Sequence, residues 1–225
     1  MRVAGLVAGA VATAVIAVGA IGYAVAEGGG PAGPADGSAA AGATAPALTV
    51  PAAGSADAGF ARDMAVHHQQ AVEMSYIVRD RTSDPEVRRL AYDIAQTQAN
   101  QRGMLLGWLD LWGLPKVSAG PPMAWMGMGG AASRATGADG ALMPGMATDA
   151  QLKELGRLRG RAAEVLYLRL MTAHHRGGIH MAQACAAACA VGAEKRLAQG
   201  MADAQQSEID LMADMLRKRG AATGS

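Results

Sequence analysis

The sequence predicts an all-α protein: a four-helix bundle made from two copies of one helical hairpin, with an N-terminal membrane anchor or signal helix. Three observations predict it. Alanine and glycine dominate the 225 residues while Phe occurs once, which suits closely packed helices better than strands needing aromatic and β-branched side chains. A gapless repeat with an offset of 107 residues carries Phe60 onto Tyr167, Arg89-Leu90 onto Arg196-Leu197, Gln98 onto Gln205, Gln101 onto Glu208, Leu105 onto Met212 and Gly113 onto Gly220, so one structural unit is duplicated. Helix cap and stop signals punctuate each copy in the same order.

Residues 1–26 carry one early cation, Arg2, followed by a charge-free apolar run over residues 3–26 that is long enough to cross a bilayer. Ala24-Val25-Ala26 resembles a cleavage site, so the segment reads either as an uncleaved anchor or as a removed signal peptide. Both readings export the remainder, since Arg2 and the amino terminus favour the inner side. Residues 27–56 contain 22 Gly, Pro or Ala in 30 positions and read as a linker that cannot bury a core.

The folded domain spans 57–220, followed by a short tail, 221–225. In the first hairpin, 57–113, one helix runs from Asp57 to about Arg81. Ser83-Asp84-Pro85-Glu86 then supplies a cap, a first-turn proline and an early acid for a second helix reaching about Trp112. Gly113 followed by Pro115 stops it. The second hairpin, 149–220, repeats the plan. Thr148-Asp149 caps a short helix, Gly160 breaks or bends it, a main helix reaches about Ala190, and Gly192 precedes a last helix from Ala193 to Arg219. Each hairpin has one apolar face to hide, and packing the two together hides both.

Between the hairpins, 114–148 is too long for a plain connector. It holds Met123, Trp125, Met126, Met128, Met143 and Met146 among seven glycines. Disorder and a supply of extra soft ligands are both open readings of this loop, and Met143 and Met146 are candidate additional ligands on the second.

All five histidines fall inside two copies of one phrase, Met64-x-x-His67-His68-x5-Met74 and Met171-x-x-His174-His175-x5-Met181. At about 100° per residue, with Met64 at zero, His67 lies at about −60°, His68 at about +40° and Met74 at about −80°, so all four share one helix face. The second copy repeats this arc, and Cys185 and Cys189 extend its stripe. His180 lies about 180° from Met171 and faces solvent. Imidazole together with thioether selects copper, as Cu(I) or the similarly soft Ag(I), over magnesium or calcium, and zinc sites rarely use methionine. Methionine stripes alone are ordinarily core filler. Two His-His pairs flanked by methionine on one face point to metal. Cys185 and Cys189 are candidate additional ligands or buried thiols; a disulfide between them is less natural, because side chains one turn apart run nearly parallel. On the partner helices Gln98, Gln205 and Glu208 face inward, where they either orient metal-bound imidazoles or bond between helices.

These two phrases, with Met143-Pro144-Gly145-Met146 before the second hairpin and Gln205-x-x-Glu208 after it, resemble the bacterial family known as domain of unknown function 305. The resemblance covers nearly everything from 57 to 220. It implies a ferritin-like four-helix fold, export, similarity to extracytoplasmic copper-binding proteins, and Met64, His67, His68, Met74, Met171, His174, His175 and Met181 as ligands. Gly177-Gly178 and Gln101 depart from the family's usual residues.

The expected function is therefore capture of copper outside the cytoplasm for buffering, tolerance or transfer to an unidentified envelope partner, with two or more ions per chain and no enzymatic reaction. A di-iron oxidase is the enzymatic alternative, but it needs Glu-x-x-His on two helices, and methionine stands three before His67 and His174. A metal-free interaction module in the envelope is the other. Nucleic acid is disfavoured as a partner: 20 Lys plus Arg balance 19 Asp plus Glu, and three Trp, four Tyr and one Phe offer no stacking platform.

Overall fold

The computed structural model describes residues 49–127 and 141–222. The anchor or signal segment, the linker up to residue 48, Met128 and the end of the tail lie outside the described residues. Among the described residues no helix is long and apolar enough to cross a membrane.

Among the described residues the domain has five α-helices and one 3-10 turn. Helix α1 spans Ala56–Arg79, with Ser55 as its cap accepting from the Ala58 amide. Helix α2 spans Pro85–Leu111; Asp84 accepts from the Val87 amide, and Pro85 spends no hydrogen bond because its position needs none. A single 3-10 turn covers Ala124–Met126. Helix α3, Asp149–Arg157, starts in a capping box in which Thr148 and Gln151 each satisfy the other's backbone amide. Helix α4 spans Gly160–Ala188 and helix α5 Gly192–Lys218. Gly160 breaks the chain between α3 and α4 with a positive φ of 54°, which a side chain would resist.

The hairpins α1–α2 and α4–α5 meet chiefly through α1 and α4. Asp57 at the start of α1 reaches Ala190 and Val191 beyond the end of α4, His67 meets His174 midway, and Ser75 bonds Tyr167 towards the other end. The two helices therefore run antiparallel, with the two copies of the repeat facing one another.

Antiparallel pairing decides where the sulfur goes. Met64 and Met74 are ten residues apart, about 15 Å of helix rise, so they belong to different apolar clusters. Met64 joins Met181, Met123, Met143, Met146 and Met201 in one, and Met74 joins Met171, Met212 and Met215 in the other. Residues that share one helix face therefore do not share one pocket. The imidazoles converge, but the thioethers divide between two ends.

The described parts of the chain between the hairpins, 114–127 and 141–148, lie as a strap on the helices rather than as a plain connector. Asp63 accepts from the Met123 amide at 2.7 Å and from the Trp125 indole at 2.9 Å. Gln70 exchanges two hydrogen bonds with the backbone of Ala147. Gly177 lets the strap lie directly on α4, since a Cβ there would stand 2.2 Å from the Pro144 carbonyl oxygen. Met123, Met143 and Met146 are buried as a result.

Candidate metal centre

His67, His68, His174 and His175 are all fully buried on the facing sides of α1 and α4. The rings of His67 and its repeat mate His174 lie 3.7 Å apart between centroids. His174 donates from Nε2 to the His67 carbonyl at 3.0 Å. His68 pairs through Nε2 with Gln101 Oε1 at 2.9 Å, and His175 pairs through Nε2 with Glu208 Oε2 at 2.5 Å. These last two contacts are the same contact in the two copies.

A ring that donates through Nε2 carries its proton there, so its Nδ1 keeps a lone pair. Nδ1 of His68, His174 and His175 has no hydrogen-bond partner, and neither nitrogen of His67 has one. Burial drives the imidazole of His67 well below its ordinary pKa, helped by the positive charge its neighbours His174, His68 and His175 would carry. The same forces act on His174, and burial takes His68 down to about 3 against its bond to Gln101. The rings of His67, His68 and His174 are therefore neutral, the form that binds a metal ion.

Gln98 and Gln205 are buried, and both ends of each amide lack a partner from the protein. Leaving such groups unsatisfied costs about 1–3 kcal/mol each, so this core is poor as mere packing. Gln205 Oε1 presses on Gly178, where a Cβ would stand 2.3 Å away. The glycines at 177 and 178 thus admit the strap on one side and an amide on the other.

Met64, Met74, Met171 and Met181 are fully or almost fully buried, two in each apolar cluster, while His180 is exposed on α4. Met143 and Met146 join the cluster that holds Met64 and Met181. Gln101, noted from sequence as the repeat mate of Glu208 and as a departure from the family but given no site role, is a site residue as well.

Cys185 and Cys189 form a disulfide, with a Cα separation of 4.8 Å. The expectation of parallel side chains fails because α4 ends at Ala188 and Cys189 is already extended, at φ −63° and ψ 146°. Cys189 leaves the helix and turns its side chain back. In this state the two sulfurs are bonded to each other and are not available as ligands.

Carboxylates do not gather at the histidines in the way an oxygen-rich di-iron centre requires. Glu164 is bound by Thr82 at 2.6 Å and by Arg219 at 2.7 Å, and of the acids only Glu208 bonds a histidine among the described residues.

Known structures repeat this architecture. A crystal structure from Streptomyces coelicolor, named as a secreted DUF305 protein, is 70% identical, with a TM-score of 0.71 over 77% of this chain and 99% of that one. A DUF305 fragment from Deinococcus radiodurans is 28% identical, with a TM-score of 0.59 over 72% and 96%. CopM in its Cu(I)-bound form is 19% identical, with a TM-score of 0.54 over 72% and 96%, a likeness that shows the fold. No curated protein matches the chain. The family described as a domain of unknown function, DUF305, matches residues 57–216, and the chain belongs to it.

Proposed function

We propose that this chain is an extracytoplasmic copper-binding protein that captures Cu(I), with Ag(I) as a chemical equivalent, for buffering, tolerance or transfer, and that it is not an enzyme. The observation that carries the reading is the set of four buried imidazoles, three of them engaged through Nε2, whose remaining ring nitrogens have no partner. A bound ion satisfies such nitrogens, and the Gln101 and Glu208 contacts hold two of the rings in the tautomer that presents Nδ1.

Thioethers at both ends of the histidine layer supply the softness that favours Cu(I) over Zn²⁺. Because they form two separate groups, two ions per chain fit better than one. The likeness to CopM, which has been crystallised with Cu(I), Cu(II) and silver, supports the same chemistry here. Placement outside the cytoplasm is supported by the apolar run over residues 3–26 and by the name of the Streptomyces coelicolor relative. That run acts as a membrane tether or as an export signal, and delivery goes to an envelope partner.

The test is a Cu(I) titration against a competing chelator, with the His67→Ala, His68→Ala, His174→Ala, His175→Ala quadruple variant beside the unaltered chain. The expected result is at least one ion per chain, lost in the variant while its helical circular dichroism persists. A stoichiometry below one, or unchanged affinity in the variant, overturns the proposal.

A further inference from the structure

We propose that Cys185, Cys189 and Glu194 form a second cation site, distinct from the histidine layer, which opens when the disulfide is reduced and takes a borderline divalent ion of the zinc class. The three residues meet where α4 gives way to α5, and one donor atom from each lies within 4.8 Å of the others. A tetrahedral ion with metal–sulfur and metal–oxygen distances of about 2.3 and 2.1 Å needs its donors about 3.5–3.8 Å apart. Reaching that geometry takes movements of about 1 Å.

Glu194 supplies the independent sign of a ligand. Its side chain is fully buried, no hydrogen-bond donor of the protein serves either carboxyl oxygen, and its polar neighbour is the Asp57 carboxylate, which is itself an acceptor and can share only the proton of Glu194. The neighbouring Asp57 gives one oxygen to the amides of Ala190 and Val191, at 2.9 and 2.7 Å, and so holds the link between the helices in place. A buried acid of this kind is stabilised by a cation.

The repeat shows that packing does not require these residues. In the first copy the positions of Cys185, Cys189 and Glu194 are occupied by Val78, Thr82 and Val87, all buried in the same fold. The whole trio departs from the repeat together. A disulfide closing so short a loop is also a weak staple, since the entropy it removes from the unfolded chain grows with loop length.

Two thiolates and a carboxylate make a donor set of mixed softness, suited to a zinc-class ion and unlike the imidazole and thioether set of the histidine layer. A dithiol reductant passes two electrons and two protons to the sulfurs and becomes a disulfide itself. Binding the divalent ion then releases the protons of both thiols and of Glu194 to solvent, leaving three negative donors around two positive charges.

Cd²⁺ is the probe, added without oxygen to the full chain after reduction by a dithiol and removal of the excess. Reduced protein is expected to show thiolate-to-cadmium charge-transfer absorbance saturating at one equivalent, and oxidised protein none. Glu194→Gln is expected to lower the affinity at least tenfold, and Cys185→Ser/Cys189→Ser to abolish the signal. His67→Ala/His174→Ala should leave it unchanged, which separates this site from the copper reading. Absence of the signal in reduced protein, Cd²⁺ binding untouched by Glu194→Gln, or loss of helical circular dichroism on reduction alone each overturns the proposal.

Discussion

Acidification of the metal-free protein from pH 7.5 to pH 5.5 should destabilise it through the histidine layer, and Glu194 should mask part of the loss. His67, His68 and His174 ordinarily titrate near 6.5 but are held neutral in the fold by burial. A depressed histidine means that the unfolded chain takes up the proton and the native one does not, so stability falls as pH drops below 6.5. Each such ring loses about 1.4 kcal/mol between the two pH values, and three lose about 4 kcal/mol. Burial, with Asp57 beside it, raises Glu194 from 4.5 to about 9. There the native state keeps a proton that the unfolded chain gives up, so acidification over the same interval restores roughly 3 kcal/mol. The unaltered protein should therefore lose only about 1–2 kcal/mol. Glu194→Gln, which imitates the protonated acid, should lose about 4 kcal/mol, out of the 5–15 kcal/mol typical of folded domains. Urea unfolding followed by circular dichroism at the two pH values measures both. A Glu194→Gln protein no more sensitive to acid than the unaltered one would refute the reasoning.

Removing an acceptor from a ring's outer nitrogen should weaken metal binding without touching a ligand. Gln101→Leu and Glu208→Leu are each expected to lower Cu(I) affinity by about ten- to a hundredfold, with Glu208→Gln milder because its amide oxygen still accepts; equal affinities in competition titrations would count against the tautomer argument. Methionine pairs test the two-ended arrangement. Met64→Leu/Met181→Leu lies within one cluster and should remove one ion from the Cu(I) stoichiometry, whereas Met64→Leu/Met74→Leu strikes both ends and should weaken every ion. Leucine keeps the volume, at a cost under about 1.5 kcal/mol per site, and identical titrations for the two pairs would contradict the arrangement.

Much of the fold was legible because its signals are local. Asp84 before Pro85, the Thr148 capping box and the glycines at 113 and 160 mark helix ends through backbone chemistry that needs no tertiary context. The histidine layer was legible because the repeat and the helical period place four rings on two equivalent faces. Features that depend on which residues meet across the fold were not. The disulfide turns on α4 ending at Ala188, one residue before Cys189. Asp57 and Glu194 meet only because α1 and α4 are antiparallel, and Asp57 alone reads as an ordinary first-turn acid. The strap across α4 depends on Gly177 meeting Pro144, and a glycine within a helix gives no hint of what lies above it.

Duplication has a physical consequence for the ligand set. In an antiparallel pair of identical phrases, the residues at the centre meet their own counterparts, and those at the ends meet the opposite end of the other copy. His67 accordingly faces His174, while Met64 joins Met181 and Met74 joins Met171. A phrase with methionine at both ends therefore places thioethers at both ends of the imidazole layer, one from each copy. Neither hairpin carries either complete set alone, so on the copper reading assembly of the bundle and assembly of the soft sites are the same event, and the unpartnered nitrogens are the residual cost that an ion removes.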